Sequence, residues 1–376
     1  MRRFENPLAA FAPHAAFSMG RTSPAGRLDE LTGFGRNPGN LLARVHIPDG
    51  LPERAPLIVI LHGCTQNADS YDRGSGWSEL ADEHGFAVLF PEQQRANNPN
   101  LCFNWFRPGD ARRGRGEAAS IRQMIAHLVG RHDLDDKRIF VAGLSAGGAM
   151  TSVMLAAYPD VFAGGAVIAG LPFATANSIP EALDRMRGNG GPGRAELAEL
   201  VAKASPHQGD WPSLSVWHGT ADATVNPVNA DAIIDQWTAL QQLPAAPTAT
   251  ETVDGQRRDV WRNKSGREVI ERFTIIGLGH GTPLATDGEE GCGTPGPHML
   301  EAAINSTRHI ARFWGLVGVA KAKAVLTVSP APTPTPAKRA HTPILARRLT
   351  RPPFPRKLAG VAEIIDKALR SAGLLR

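Results

Sequence analysis

The chain has 376 residues, 42% hydrophobic and 20% charged, with a formal net charge of +5 and three cysteines. That length holds one large domain or two average ones, and so low a cysteine count excludes a disulfide-framed mini-protein. The charge is uneven: from Val319 to Arg376, twelve Lys/Arg face Glu363 and Asp366, so this tail carries +10 and leaves residues 1–318 at −5.

In chain order, residues 1–29 form an N-terminal extension. Arg2 and Arg3 precede apolar residues that Glu5, Asn6, Pro7, Pro13 and His14 interrupt. A signal peptide wants an unbroken apolar run of about 7–15 residues, so a cytoplasmic protein is expected, with an extracellular one as the alternative. No apolar stretch approaches the roughly 18 residues of a membrane span, and no transmembrane segment is expected.

Residues 30–318 alternate short apolar runs with helical patterns. Strands are expected at Asn40–Pro48, Pro56–Gly63, Phe86–Glu92, Arg138–Gly143, Gly164–Gly170, Ser213–Gly219 and Arg272–Gly279. "PLIVILHG" (56–63) is apolar throughout, as in a strand buried on both faces. Helices are expected at Glu117–Gly130, Ala149–Tyr158, Asn229–Leu240 and His298–Trp314. In the first of these, Ile121, Met124, Ile125 and Leu128 share one face. The alternation predicts an α/β fold, a mostly parallel central sheet with helices on both faces. Residues 171–212 read as an insertion with one or two short helices, a candidate cap. Leu243–Glu271 reads as two edge strands joined by the Lys264-Ser265-Gly266 turn. A basic Pro/Ala/Thr-rich linker follows at 319–356, then an amphipathic helix at 357–376.

"GLSAGGAM" (143–150) places Ser145 between glycines, after a strand and before a helix. This is the context of a nucleophile elbow, in which a sharp turn lifts the hydroxyl above the sheet. The flanking glycines are expected to permit that turn, and the helix N-terminus favours negative charge at the reacting centre. In this fold the acid and then the base follow the serine along the chain. After "SLSVWHG" the sole acid in "TADATVNP" is Asp222, and after "RFTIIG" the sole histidine in "LGHGTP" is His280. Both stand at predicted carboxyl ends of strands, where ligands collect in open α/β sheets. His280 is expected to act as the base and Asp222 to orient it. His218 is expected to order the Asp222 loop, and His298 to be a surface or capping residue at the start of the last helix. Asp231 and Asp235 fall within a helix. The loop "LHGCTQ" and the elbow nominate two backbone N–H donors for an oxyanion, those of Cys64 and Ala146.

Together "VILHGCTQ", "FPEQQRANNPNLCFNWF", "GLSAGGAM", "WHGTADATVNP" and "GLGHGTP" resemble the polyhydroxybutyrate depolymerase family of esterases, within the α/β-hydrolase fold, across about residues 30–316. Feruloyl and acetylxylan esterases are near relatives. The resemblance implies a serine carboxylic-ester hydrolase without a cofactor, acting through Ser145, Asp222 and His280. It implies poly(3-hydroxybutyrate)-type polyesters, their oligomers or similar short esters as substrates. Feruloyl or acetylxylan esterase activity is the alternative, and a non-catalytic polyester- or surface-binding protein the alternative of another class. The family's secretion signal is not visible, and the tail lies outside the match.

In "CFNWFRPGD", Phe103, Asn104 and Trp105 are candidate substrate contacts; the other reading is that the rings anchor a long loop. Trp77 is expected to pack a helix. Cys64 and Cys102 lie on loops that both approach the site, so a disulfide and two free thiols both stand open. Cys292 looks unpaired. No CxxC pair, HExxH, P-loop or dinucleotide fingerprint occurs, so no metal or nucleotide cofactor is expected. The basic tail reads either as a solvated extension or as a contact with an anionic surface or granule. It lacks the aromatic–basic platform of a nucleic-acid binder.

Overall fold

The computed structural model of the protein describes residues 27–318, so the linker, the expected terminal helix and most of the N-terminal extension lie outside the described residues. Ten strands form one sheet: β1 (Asp29–Glu30), β2 (Leu42–His46), β3 (Leu57–Leu61), β4 (Ala87–Glu92), β5 (Ile139–Leu144), β6 (Gly164–Ile168), β7 (Ser213–Gly219), β8 (Ala249–Val253), β9 (Gln256–Arg262) and β10 (Glu268–Ile275). Their spatial order is β1-β2-β4-β3-β5-β6-β7-β10-β9-β8. The pairings from β4 through β10 are parallel, and those at both margins are antiparallel.

The eight helices among the described residues are α1 (Ala68–Ser75), α2 (Trp77–His84), α3 (Gly116–His132), α4 (Ala146–Ala157), α5 (Ile179–Met186), α6 (Arg194–Ala202), α7 (Val228–Leu240) and α8 (Ser306–Phe313). Side chains alternate across a strand, so β3 feeds two cores. Leu57, Val59 and Leu61 join the core beneath α3, α4, α6 and α7. Ile58 and Ile60 join the core of α1, α2 and α8, where Trp77 stacks on Trp314 at 5.9 Å. Ile121, Met124, Ile125 and Leu128 are all buried, as the spacing of α3 predicts.

Two expectations need correction. The last helix is not His298–Trp314: Met299–Glu301 is a strand, β12, paired in parallel with β11 (Thr282–Leu284), and the helix starts at Ser306 with Asn305 as its cap. The cap residue Asn305 accepts the Arg308 N–H, and that side-chain bond defines a helix start more sharply than the apolar pattern does. In the 243–271 region, the Lys264–Gly266 turn joins β9 to β10, but β10 also pairs with β7, so the edge is β8. The Asp254-Gly255 corner makes the second hairpin, with both residues at positive φ. The 171–212 insertion holds two helices, α5 and α6. It is fastened to α7: Gln236 bonds the Phe173 backbone and the Leu197 carbonyl, and Arg194 donates to Thr238.

The topology gathers the loops that matter. The chain moves from β3 outward to β4, then returns to β5 on the other side of β3. The loops after β3 and β5 therefore flank a topological switch point, where such sheets bind ligands. On the same carboxyl edge, β7 lies beside β10 with His218 paired to Thr274. The two loops that leave these strands must emerge together.

Candidate active site

Ser145 connects β5 to α4 with φ 57° and ψ −117°, a conformation a non-glycine residue holds only when its surroundings impose it. Its N–H is tied to the Ile168 carbonyl of β6 at 2.9 Å, and its own carbonyl accepts the Ala149 N–H of α4 at 2.8 Å. The strain sits on the serine and not on its glycines, since neither Gly143 nor Gly147 has positive φ. Their role is close approach. A Cβ on Gly147 would stand 2.1 Å from the Leu61 carbonyl oxygen, and one on Gly143 would stand 2.4 Å from the Gly147 carbonyl oxygen. The glycines thus let the elbow press against β3.

That contact brings the loop after β3 beside Ser145. In this loop the Gly63 N–H donates to Gln66 Oε1 at 2.8 Å, and the Thr65 N–H donates to the Asn100 carbonyl at 2.7 Å. Between them, the Cys64 N–H has no hydrogen-bond partner among the described residues, nor has the Ala146 N–H at the start of α4. Two unengaged donors, one at a helix N-terminus, are what an oxyanion requires. His62 braces the loop from below. It is buried, its Nδ1–H donates to the Gly63 carbonyl at 2.8 Å, and its Nε2 accepts the Gln93 N–H at 3.1 Å. Burial pushes its pKa down to about 4.

Cys64 and Cys102 form a disulfide, which resolves the two open readings of that pair. It ties the loop carrying the Cys64 N–H to the aromatic loop. Cys292 is a free, buried thiol.

Asp222 and His280 meet: His280 Nδ1 lies 2.8 Å from Asp222 Oδ2. A carboxylate only accepts, so the proton sits on Nδ1 and Nε2 is left bare. The other carboxylate oxygen, Oδ1, accepts the Thr224 and Val225 N–H groups, each at 2.9 Å. His218 Nε2 stands 3.3 Å from Oδ2 and 2.9 Å from the Val225 carbonyl, which agrees with its expected loop-ordering place. Burial alone would raise the Asp222 pKa. The His218 and His280 N–H groups outweigh it and hold the carboxyl well below the usual carboxylate range. Asp231 instead pairs with Arg272 on the helical face.

His298 is a correction. It begins no helix: it has φ 62°, its Nδ1 donates to the His280 carbonyl at 3.0 Å, and its ring meets the His280 ring edge-on at 5.7 Å. Nothing in its local sequence announces this, because the contact arises from the β11–β12 pairing.

Two of the expected substrate contacts on the aromatic loop, Phe103 and Asn104, are turned inward. Phe103 is fully buried against His62, with ring centroids 4.9 Å apart. Asn104 is buried, with both its backbone N–H and its Nδ2 on the Glu117 carboxyl group. Gln93 donates to the same group, so Glu117 pins the loop from beneath, and burial pushes its pKa up to about 8. Trp105 keeps 6% of its surface and packs edge-on against Phe106 at 5.5 Å. Phe103 and Asn104 anchor the loop. Gln66, Gln93 and Glu117 are the supporting residues that the sequence reading left without a role.

Residues 42–260 match the family model described as esterase PHB depolymerase. The chain is 43% identical to poly(3-hydroxyalkanoate) depolymerase C of Paucimonas lemoignei over 293 residues, 77% of this chain and 70% of that protein. It is 30% identical to feruloyl esterase B of Talaromyces stipitatus over 268 residues, 69% of this chain and 73% of that one. The acetyl xylan esterase structure from Aspergillus awamori covers 78% of this chain and 100% of its own, at TM-score 0.66 and 22% identity, which establishes the shared fold.

Proposed function

The chain belongs to the PHB depolymerase family of esterases and is a carboxylic-ester hydrolase, and from that we propose that it cleaves hydroxyalkanoate polyesters or their oligomers through an acyl-enzyme on Ser145. The hydrogen bond from His280 Nδ1 to Asp222 Oδ2 carries this reading, because it leaves Nε2 free to act as a base. Nε2 takes the Ser145 proton as Oγ attacks the ester carbonyl. The Cys64 and Ala146 N–H groups receive the oxyanion, and the imidazolium, balanced by Asp222, protonates the departing alcohol. Water, deprotonated by the same nitrogen, then releases the acid and restores Ser145.

The substrate follows the higher identity: 43% to a protein named for poly(3-hydroxyalkanoate), against 30% to one named for feruloyl esters. A panel of p-nitrophenyl esters, poly(3-hydroxybutyrate), hydroxybutyrate oligomers, acetylated xylan and methyl ferulate tests it. Turnover of methyl ferulate or acetylated xylan well above the hydroxybutyrate substrates would move the assignment to those classes.

The Cys64–Cys102 disulfide supports work in an oxidising compartment, against the cytoplasmic expectation from the N-terminal sequence. The +10 charge of residues 319–376 supports contact with an anionic surface. Deleting them should weaken binding to anionic vesicles and polyester granules; unchanged binding would remove that idea.

A further inference from the structure

We propose that His218 is a positioning residue of the ester hydrolysis, its shared Nε2–H fixing the Asp222 carboxylate against His280; the inference rests on the triad assigned above. The two side chains are almost wholly enclosed, with 2% of His218 and none of Asp222 exposed. The Val225 carbonyl 2.9 Å from His218 Nε2 can only accept, so Nε2 carries the proton and His218 is a donor there. The same nitrogen stands 3.3 Å from Asp222 Oδ2, the oxygen that also holds His280, so its proton-bearing side is set against the carboxylate while the hydrogen itself bonds Val225.

The second nitrogen distinguishes this arrangement from ordinary packing. His218 Nδ1 is buried and has no hydrogen-bond partner among the described residues. A bare buried ring nitrogen is costly, and a residue kept for packing alone would do better as an apolar one. What the imidazole supplies lies all on the Nε2 side, and both contacts end on Asp222. One is direct. The other runs through Val225, whose carbonyl takes the His218 hydrogen while its N–H holds Asp222 Oδ1. His218 therefore closes a ring around the carboxylate, and its place at the end of β7 transmits the rigidity of the sheet to the Asp222 loop.

A double-mutant cycle tests this on the full chain. His218→Met removes the donor at near-constant shape, His218→Gln keeps an N–H at the Nε2 position, and Asp222→Asn removes the carboxylate. With a hydroxybutyrate or p-nitrophenyl ester, His218→Met should lower kcat about 10- to 100-fold, the scale of a misplaced catalytic group, with KM little changed. His218→Gln should restore most of that loss. In the Asp222→Asn background, His218→Met should change kcat less than about twofold, because residues that act as one unit are non-additive. Should His218→Met fail to fold, His218→Asn withdraws the donor while keeping polarity and takes its place. Wild-type kcat in the donor-free variant, or an equal loss with and without the carboxylate, overturns the positioning role and leaves the triad standing. Wild-type kcat in Asp222→Asn alone overturns the triad reading and this one with it.

Discussion

Gly147 lies so close to Leu61 that a Cβ on it would stand 2.1 Å from the Leu61 carbonyl oxygen, far inside the approach that real Cβ atoms make to their neighbours. The elbow and the loop after β3 are pressed together along this line. Gly147→Ala must therefore push one backbone away from the other. A loss of about 3 kcal/mol is expected, the upper end of overpacking costs, together with a fall in kcat. Gly279→Ala is the control, since a Cβ there meets nothing within 4 Å. Thermal and urea unfolding of the two variants measure the difference; equal midpoints would contradict the close-approach role.

The Asp222–His280 bond predicts a specific pattern of loss. Asp222→Asn keeps the shape but favours the wrong His280 tautomer, and kcat should fall by about 10⁴, as for that change in other triads. Steady-state kinetics on a p-nitrophenyl ester measures it. A fall of less than tenfold would show that another group orients His280.

His62 gives a pH dependence of stability. Its folded pKa is about 4, below the ordinary 6.5, so the unfolded chain binds a proton that the folded chain refuses. Stability from this residue is present above pH 6.5 and is lost as pH falls toward 4, by about 3 kcal/mol across the window. Nε2 accepts the Gln93 N–H, so a second ring proton has nowhere to go. His62→Asn should be less stable than wild type at pH 7 and should flatten the curve between pH 6.5 and 4. Parallel slopes for the two proteins in urea titrations would remove His62 as the cause.

The Cys64–Cys102 disulfide closes a separation of 38 residues, for which the chain-entropy account gives about 4 kcal/mol. Reduction, or Cys102→Ser, should lower the unfolding midpoint. It should also lower kcat more than it raises KM, because the Cys64 N–H is a proposed oxyanion donor and losing one such donor costs about 10²–10³ in rate. An unchanged kcat in the reduced, folded protein would mean that Gln66 and Asn100 alone hold the loop.

Much of this molecule is legible in its sequence, for reasons particular residues make plain. β3 reads as a buried strand because Leu57–Leu61 is apolar at every position and both sheet faces are covered. Asp222 and His280 are found because each is the sole residue of its type in its loop. What stays hidden depends on distant pairings. His298 reaches His280 across the β11–β12 pairing, and Phe103 meets His62 from another loop. An aromatic in a polar loop reads equally as a substrate platform or an anchor, and for Phe103 it is the distant His62 ring, with Glu117 holding the neighbouring Asn104, that makes it an anchor. The Gly-x-Ser-x-Gly pattern is visible, but its spacing says nothing of whether the glycines serve φ or proximity. Ser145 itself carries the unusual dihedrals.

The central claim is that Ser145 is the nucleophile. The most direct measurement is mass spectrometry of the intact protein after treatment with a fluorophosphonate, beside ester turnover, for wild type and Ser145→Ala. The account predicts one adduct on Ser145 and complete loss of turnover in wild type, with neither labelling nor turnover in the variant. Stoichiometric labelling or near-wild-type hydrolysis by Ser145→Ala would contradict it.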